Sequence, residues 1–171
     1  ALTWTWYLLA RNPEIEAAVR AEVYEVLDGR RPEADDLPRL ELTRRCVQEA
    51  MRLYPPLWGT GRQALAPDRI GGYDIPAGGY VSLVPWLAHM DARFWDVPER
   101  FDPDRFLPEA VAARPRFAYV PFSGGPRQCI GNEFALMEAV VAISMTMQRY
   151  RVELVTDQPV EVAAAITLRP R

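Results

Sequence analysis

Apolar positions recur at helical spacing through the first third of the chain. Residues 1–11 carry Leu2, Trp4, Trp6, Leu8 and Leu9 on every side of a helix, the pattern of a segment enclosed by a larger body. Asn12-Pro13-Glu14 then signals a fresh start: a capping side chain, proline at the first helical position and an acid near the positive end of the dipole. Ile15, Val19, Val23, Val26 and Leu27 follow on one face, and Asp28-Gly29 stops that helix. The acidic, proline-containing stretch from Arg30 to Pro38 reads as a surface loop. A third helix is expected from about Leu40 to Tyr54, with Leu42, Cys46, Val47, Ala50 and Leu53 as its apolar face and Pro55-Pro56 as its stop.

From Trp58 to Val84 glycines and prolines punctuate short stretches, with turns at Gly71-Gly72 and Ala77-Gly78-Gly79, so a small antiparallel sheet is expected. Residues 85–121 hold many prolines and aromatics without a sustained period and read as a packed meander with short helices. A glycine-rich loop from Ser123 to Gly131 leads into a long apolar helix, Asn132 to Tyr150. Arg151–Val155 and Pro159–Leu168 alternate as terminal strands would. No repeat and no flexible linker divides the chain, which is treated as one piece. The fold class expected is mainly α with a minor antiparallel β portion.

Composition narrows the function. The chain of 171 residues is 49 % hydrophobic and 25 % charged, which excludes disorder and collagen-like sequence. A net charge of −3 gives no electrostatic footprint for nucleic acid. The longest apolar runs are too short or too interrupted to span a bilayer. The 2 cysteines, Cys46 and Cys129, cannot make a four-cysteine iron–sulfur or zinc site. A reduced, cytoplasmic compartment is the default. All 20 basic residues are arginine, a compositional bias rather than a site. The chain opens on Ala1-Leu2-Thr3-Trp4, inside an apolar stretch and without Met or a helix-start signal. It is therefore expected to be the back part of a longer protein, whose N-terminus, with or without a membrane anchor, lies outside this sequence.

The stretch from Phe122 to Gly131, Phe-Ser-Gly-Gly-Pro-Arg-Gln-Cys-Ile-Gly, carries the most chemistry. It delivers a lone cysteine to the start of a helix, where backbone N–H groups and Arg127 favour a thiolate. Such a thiolate can be a nucleophile, a redox sensor or a metal ligand, and a lone cysteine is more often a small buried apolar residue. A Cys–His hydrolase would have one base to choose, because His89 is the only histidine.

The spacing F-x-x-G-x-R-x-C-x-G, met at Phe122, Gly125, Arg127, Cys129 and Gly131, resembles the haem-binding loop of the cytochrome P-450 family. Average residue frequencies give a chance match on the order of 10⁻⁵. Upstream, Glu49-Ala-Met-Arg52 resembles the family's E-x-x-R motif, and Pro98-Glu-Arg100-Phe101, followed by Asp102-Pro-Asp-Arg105-Phe106, resembles its P-E-R-F segment. The likeness covers essentially the whole chain, from the second half of the family's long central helix to the C-terminus.

The resemblance implies a haem-thiolate monooxygenase holding haem b. Cys129 would be the axial ligand, whose electron donation favours O–O cleavage once dioxygen binds. Gly125 and Gly131 would let the backbone pass close to the porphyrin, and amides after Cys129 would hydrogen-bond the sulfur. Phe122 would exclude water. Arg127 and Arg62 would pair with haem propionates through their planar forks. Glu49, Arg52 and Arg100 would form a buried structural charge triad. Leu57, Trp58, Gly59 and Thr60, with Ala165, Ile166 and Thr167, would line the substrate pocket. His89 would be a hydrogen-bonded structural residue, and Trp4 and Trp6 would serve packing. Thr3 and Thr5 fall after the position of the family's oxygen-activating acid–alcohol pair, which should precede Ala1. The partners implied are O2, a small hydrophobic organic substrate and a ferredoxin or flavoprotein reductase, and a soluble bacterial-type enzyme. The alternative is a haem-binding but catalytically incompetent piece of a truncated gene. A haem-free cysteine-nucleophile domain is a third.

Overall fold

A computed structural model describes residues 1–156 and 158–171. Helices α1 (Leu2–Arg11), α2 (Pro13–Leu27), α3 (Glu41–Leu53) and α6 (Asn132–Met147) pack into the main body. Between them lie strands β1 (Thr60–Gln63), β2 (Asp68–Ile70), β3 (Tyr73–Ile75) and β4 (Tyr80–Leu83), then the short helices α4 (Pro85–His89) and α5 (Pro108–Ala113). Strands β5 (Val162–Ala164) and β6 (Leu168–Pro170) close the chain. The mainly helical class with minor antiparallel strands is as the sequence pattern suggests.

The core forms where the apolar faces of α2, α3 and α6 meet. Val19, Val23, Leu27, Cys46, Val47, Ala50 and Ile143 are essentially solvent-free there. Burial pushes the Cys46 thiol far above the usual range, so it stays a packing group. Helix α3 begins under the carboxylate of Glu22 on α2, which accepts from Leu42 N at 2.6 Å and Thr43 N at 2.9 Å. This satisfies two N–H groups that a helix start leaves open.

Four local expectations are corrected. Asn12 does not cap α2 with its side chain; Nδ2 donates instead to Leu8 O at 2.7 Å, finishing α1. The short gap between the helices makes the preceding carbonyl the nearer partner. Helix α6 stops at Met147, not Tyr150, because Arg20 reaches across to donate to the carbonyls of Met147 and Tyr150. The sheet at 58–84 is two separate ladders, β1 with β4 and β2 with β3, each antiparallel. Residues 151–155 form no strand, and the terminal pair is the hairpin β5–β6, with Ala164 facing Leu168. Alternation in 151–155 had no partner strand to make it a ladder.

The meander hangs on α3. A 3₁₀ turn at Pro103–Phe106, started by Pro103 and by Asp102 accepting from Asp104 N at 3.2 Å, packs directly on α3. Tyr119 donates its hydroxyl to Gln48 O at 2.9 Å, fixing the segment that enters the cysteine loop.

Candidate functional site

The buried charges come first, because they set where the loop can lie. Glu49 and Arg52 are one turn apart on α3 and both fully buried. Arg52 Nε donates to Glu49 Oε2 at 2.7 Å and Nη2 to Oε1 at 2.8 Å, a two-pronged pair. The remaining donors reach the carbonyls of His89 and Pro98, each at 2.7 Å, and of Arg100 at 3.3 Å. The guanidinium also lies 4.8 Å from the Trp95 ring centroid. Burial pushes the Glu49 carboxyl upward, and Arg52 pulls against it.

The third cation is not Arg100. Its guanidinium is 57 % exposed and pairs with Asp102 at 2.7 Å; only its carbonyl meets Arg52. Arg105, 10 % exposed, stands 3.4 Å from Glu49 Oε1. The signal was present in the sequence: Pro98-Glu-Arg100-Phe101 and Pro103-Asp-Arg105-Phe106 offer two arginines five residues apart. The first reads more like the motif, but the Pro103 turn is what carries an arginine back onto α3.

His89 ends α4, buried, and its Nε2 accepts from Val120 N at 2.9 Å. That bond requires an unprotonated Nε2. Burial lowers its pKa to about 4. The ring cannot serve as a ligand through Nε2 without giving up this bond.

The loop itself closes on a hydrogen bond from Cys129 N to Phe122 O, 2.9 Å. Phe122 is half-buried against the main core, and this anchors the loop's base. Gly125 sits at φ +68°, a left-handed conformation that side chains disfavour. Cys129 is exposed and unpaired, so the packing role of a lone cysteine does not apply to it. A Cβ on Gly131 would lie 3.9 Å from its sulfur. Among the described residues no amide donates to that sulfur, and the thiol is exposed beside the start of α6.

Beside the loop opens a cleft of about 460 Å³ whose lining includes Arg62, Arg127, Gly124, Pro126, Leu83 and Val84. Arg62 and Arg127 are 65 residues apart in sequence (127 − 62) and both exposed, yet they line one cleft. Among the described residues neither has a carboxylate partner; Arg62 Nη1 donates to Gly61 O at 2.8 Å. Thr60 lines the same cleft. Cys129 itself does not line this cleft, but its loop does, and two arginines without carboxylate partners among the described residues beside an apolar wall fit a flat apolar cofactor bearing carboxylates. Among the described residues no group of three or more His, Cys, Asp or Glu could hold a free metal ion.

The residues expected to line a substrate pocket split. Leu57 is 40 % exposed and Ile166 84 % exposed, each presenting an apolar side chain to solvent. Trp58 Nε1 donates to Ala165 O at 2.7 Å, joining the two segments. Thr167 lines a second cleft, of about 430 Å³, with Trp4 and Pro56. Trp4 stacks on Tyr54 at 3.9 Å. Thr5 is buried with its hydroxyl donated to Ala1 O at 3.2 Å.

Residues 1–170 match the cytochrome P450 family profile. A putative cytochrome P450 132 of Mycobacterium tuberculosis is 43 % identical over all of this chain and 37 % of its own length. The pentalenene oxygenase of Streptomyces avermitilis is 40 % identical over 99 % of this chain and 38 % of its own length. The crystal structure of the cytochrome P450DA heme domain superposes with a TM-score of 0.93 at 34 % identity, covering 99 % of this chain and 38 % of that one. The chain thus spans well under half the length of the relatives it matches.

Proposed function

This chain belongs to the cytochrome P450 family, and from that premise we propose that residues 1–171 are the C-terminal, haem-ligating part of one larger monooxygenase domain. The observation that supports the reading is that Arg62 and Arg127, neither with a carboxylate partner among the described residues, line one cleft with Ser123, Gly124 and Pro126 of the loop that carries the free, exposed Cys129.

Cys129 would ligate the iron of haem b through its thiolate. Arg62 and Arg127 would pair with the two propionates and so set the ring's rotation in the cleft. Gly125 and Gly131 would keep the backbone slim on the thiolate side. Phe122 would shield the sulfur from water, which strengthens its donation. Bound haem would supply dioxygen binding and transfer of one oxygen atom to an organic substrate. Glu49, Arg52 and Arg105 touch none of this chemistry; they hold the meander, and through it the loop, in register with α3. Leu57, Trp58, Thr60, Ile166 and Thr167 would contact a small hydrophobic substrate. The parent would take electrons from a ferredoxin or flavoprotein reductase. Among the described residues no helix is long and apolar enough to cross a membrane.

The test is the reduced, CO-bound spectrum of the haem-loaded full-length protein. The expected result is the strongly red-shifted Soret band of thiolate ligation, abolished by Cys129→Ser. A wild-type band typical of histidine ligation overturns the proposal.

A further inference from the structure

A separate cleft of about 260 Å³ opens in the meander and shares no lining residue with the one beside the cysteine loop. Three arginines line it, Arg93, Arg105 and Arg114, together with Trp95, and no Asp or Glu is among its lining residues. The arginines come from separate stretches: the turn after α4, the 3₁₀ turn at Pro103–Phe106 and the exit of α5.

The positive charge in this wall is not balanced from inside. Arg52 and Arg105 share one buried carboxylate, Glu49. Arg105 is nine-tenths buried, and its Nε makes no hydrogen bond; Glu49 Oε1 stands 3.4 Å away. Arg114 is half-buried and has no carboxylate partner among the described residues. Its guanidinium lies over the Trp95 ring, 4.1 Å from the centroid, a stacking that leaves in-plane N–H groups free. Only Nη1 is engaged, donating to Arg105 O at 3.0 Å. Burial lowers the Arg114 pKa from its usual value, with Arg52 and Arg105 adding to the shift and Glu49 opposing it. Arg93 is 81 % exposed and held by Asp91 at 2.5 Å, so it offers a placed donor without net charge.

We propose that this cleft binds a compact oxyanion of the phosphate class, with Arg114 as its main contact and Arg93 as its second. A guanidinium fork matches two oxygens of such an anion, and the anion offsets the charge that Glu49 leaves unpaired. Ala110, Ala113 and Pro115 give the site an apolar side, where the ester group of a phosphate monoester has room. Because its arginines come from three stretches, the bound anion holds the meander together. The proposal stands apart from the haem reading, since no lining residue belongs to the cysteine loop.

The experiment is calorimetric titration of the haem-loaded full-length protein with inorganic phosphate, at constant ionic strength set by sodium chloride. The expected result is saturable binding whose affinity falls at least about tenfold in Arg114→Gln, the loss of one charge-assisted contact. Arg116→Gln removes the same charge from an exposed position outside the lining and should leave the affinity within about twofold. Arg93→Gln, at an exposed position, should weaken binding about threefold, as for an exposed ion pair. Phenyl phosphate is the second probe. Tighter binding than inorganic phosphate assigns the site to a phosphate monoester, and equal or weaker binding assigns it to the free anion. Absence of saturable phosphate binding in wild type overturns the proposal. So does equal affinity in wild type and Arg114→Gln, or an equal loss in Arg114→Gln and Arg116→Gln, which marks a general effect of charge. Where Arg114→Gln does not fold, unchanged affinity in Arg93→Gln overturns the site instead.

Discussion

Replacing Arg52 by Met is the sharpest test of how this site is held. The side chain is wholly buried and makes two bonds to Glu49 and two more, at 2.7 Å, to the carbonyls of His89 and Pro98. Methionine fills much of the volume but leaves the Glu49 carboxyl with Asp102 N at 3.1 Å and Arg105 at 3.4 Å as its remaining partners. Burial then favours its protonated form, since the main opposing pull is gone. Breaking one partner of a buried ion pair costs about 3–5 kcal/mol. The stranded carbonyls add to this, at about 1–3 kcal/mol for each that finds no water. The unfolding free energy should therefore fall by at least about 3 kcal/mol.

The assay is equilibrium urea unfolding of the full-length protein, wild type against Arg52→Met and Arg52→Lys. Lysine keeps the charge but has no fork, so it should recover less than half the loss. The double variant Glu49→Leu/Arg52→Leu should be less destabilised than the sum of its single variants, because neither charge is then left alone. A loss under about 1 kcal/mol for Arg52→Met would sink the argument that this pair ties the meander to α3.

Arg105→Leu should cost clearly more than Arg100→Leu, because Arg105 faces Glu49 and Arg100 faces solvent; equal melting temperatures would reverse that assignment. His89, with a folded pKa near 4 against an ordinary 6.5, contributes stability above pH 6.5 that is lost as pH falls toward 4, up to roughly 3 kcal/mol. His89→Gln should flatten that stretch of the stability–pH curve, and an unchanged slope in urea titrations would refute it. The 171-residue chain expressed alone should bind a hydrophobic dye strongly, because Phe134, Met137 and Met145 on α6 are exposed beside an apolar groove of about 530 Å³. A sharp two-state melt with little dye binding would count against this.

The helices were legible because their apolar faces and stop signals are local. Val19, Val23 and Leu27 mark α2, and Pro55-Pro56 marks the end of α3. What failed to show was set by distant partners. Nothing near Tyr150 announces that Arg20 will take up the last carbonyls of α6. Nothing in 151–155 reveals the lack of a strand to pair with. The cysteine loop was legible as a motif, since five fixed residue types in ten positions outweigh any local propensity. Arg105 was hidden by a nearer copy of its own motif, and only the fold of the Pro103 turn separates the two.

His89 explains how α3 can govern a cysteine it never touches. Arg52 Nη1 donates to His89 O at 2.7 Å, and the His89 ring accepts from Val120 N at 2.9 Å. Two residues on, Phe122 O accepts from Cys129 N at 2.9 Å. Each link is a bond between a residue of one element and the backbone of the next, so α3, α4, the loop base and the cysteine share one positional chain. The chain works only with an unprotonated His89 Nε2, and burial beside Arg52 and Arg114 keeps it so. The residue is therefore a spacer with a fixed protonation state, not a base. Acid conditions that protonate it would break the link at Val120, on the wall of the cleft that Arg127 also lines. Loosening of the cysteine loop is therefore expected as pH falls toward 4.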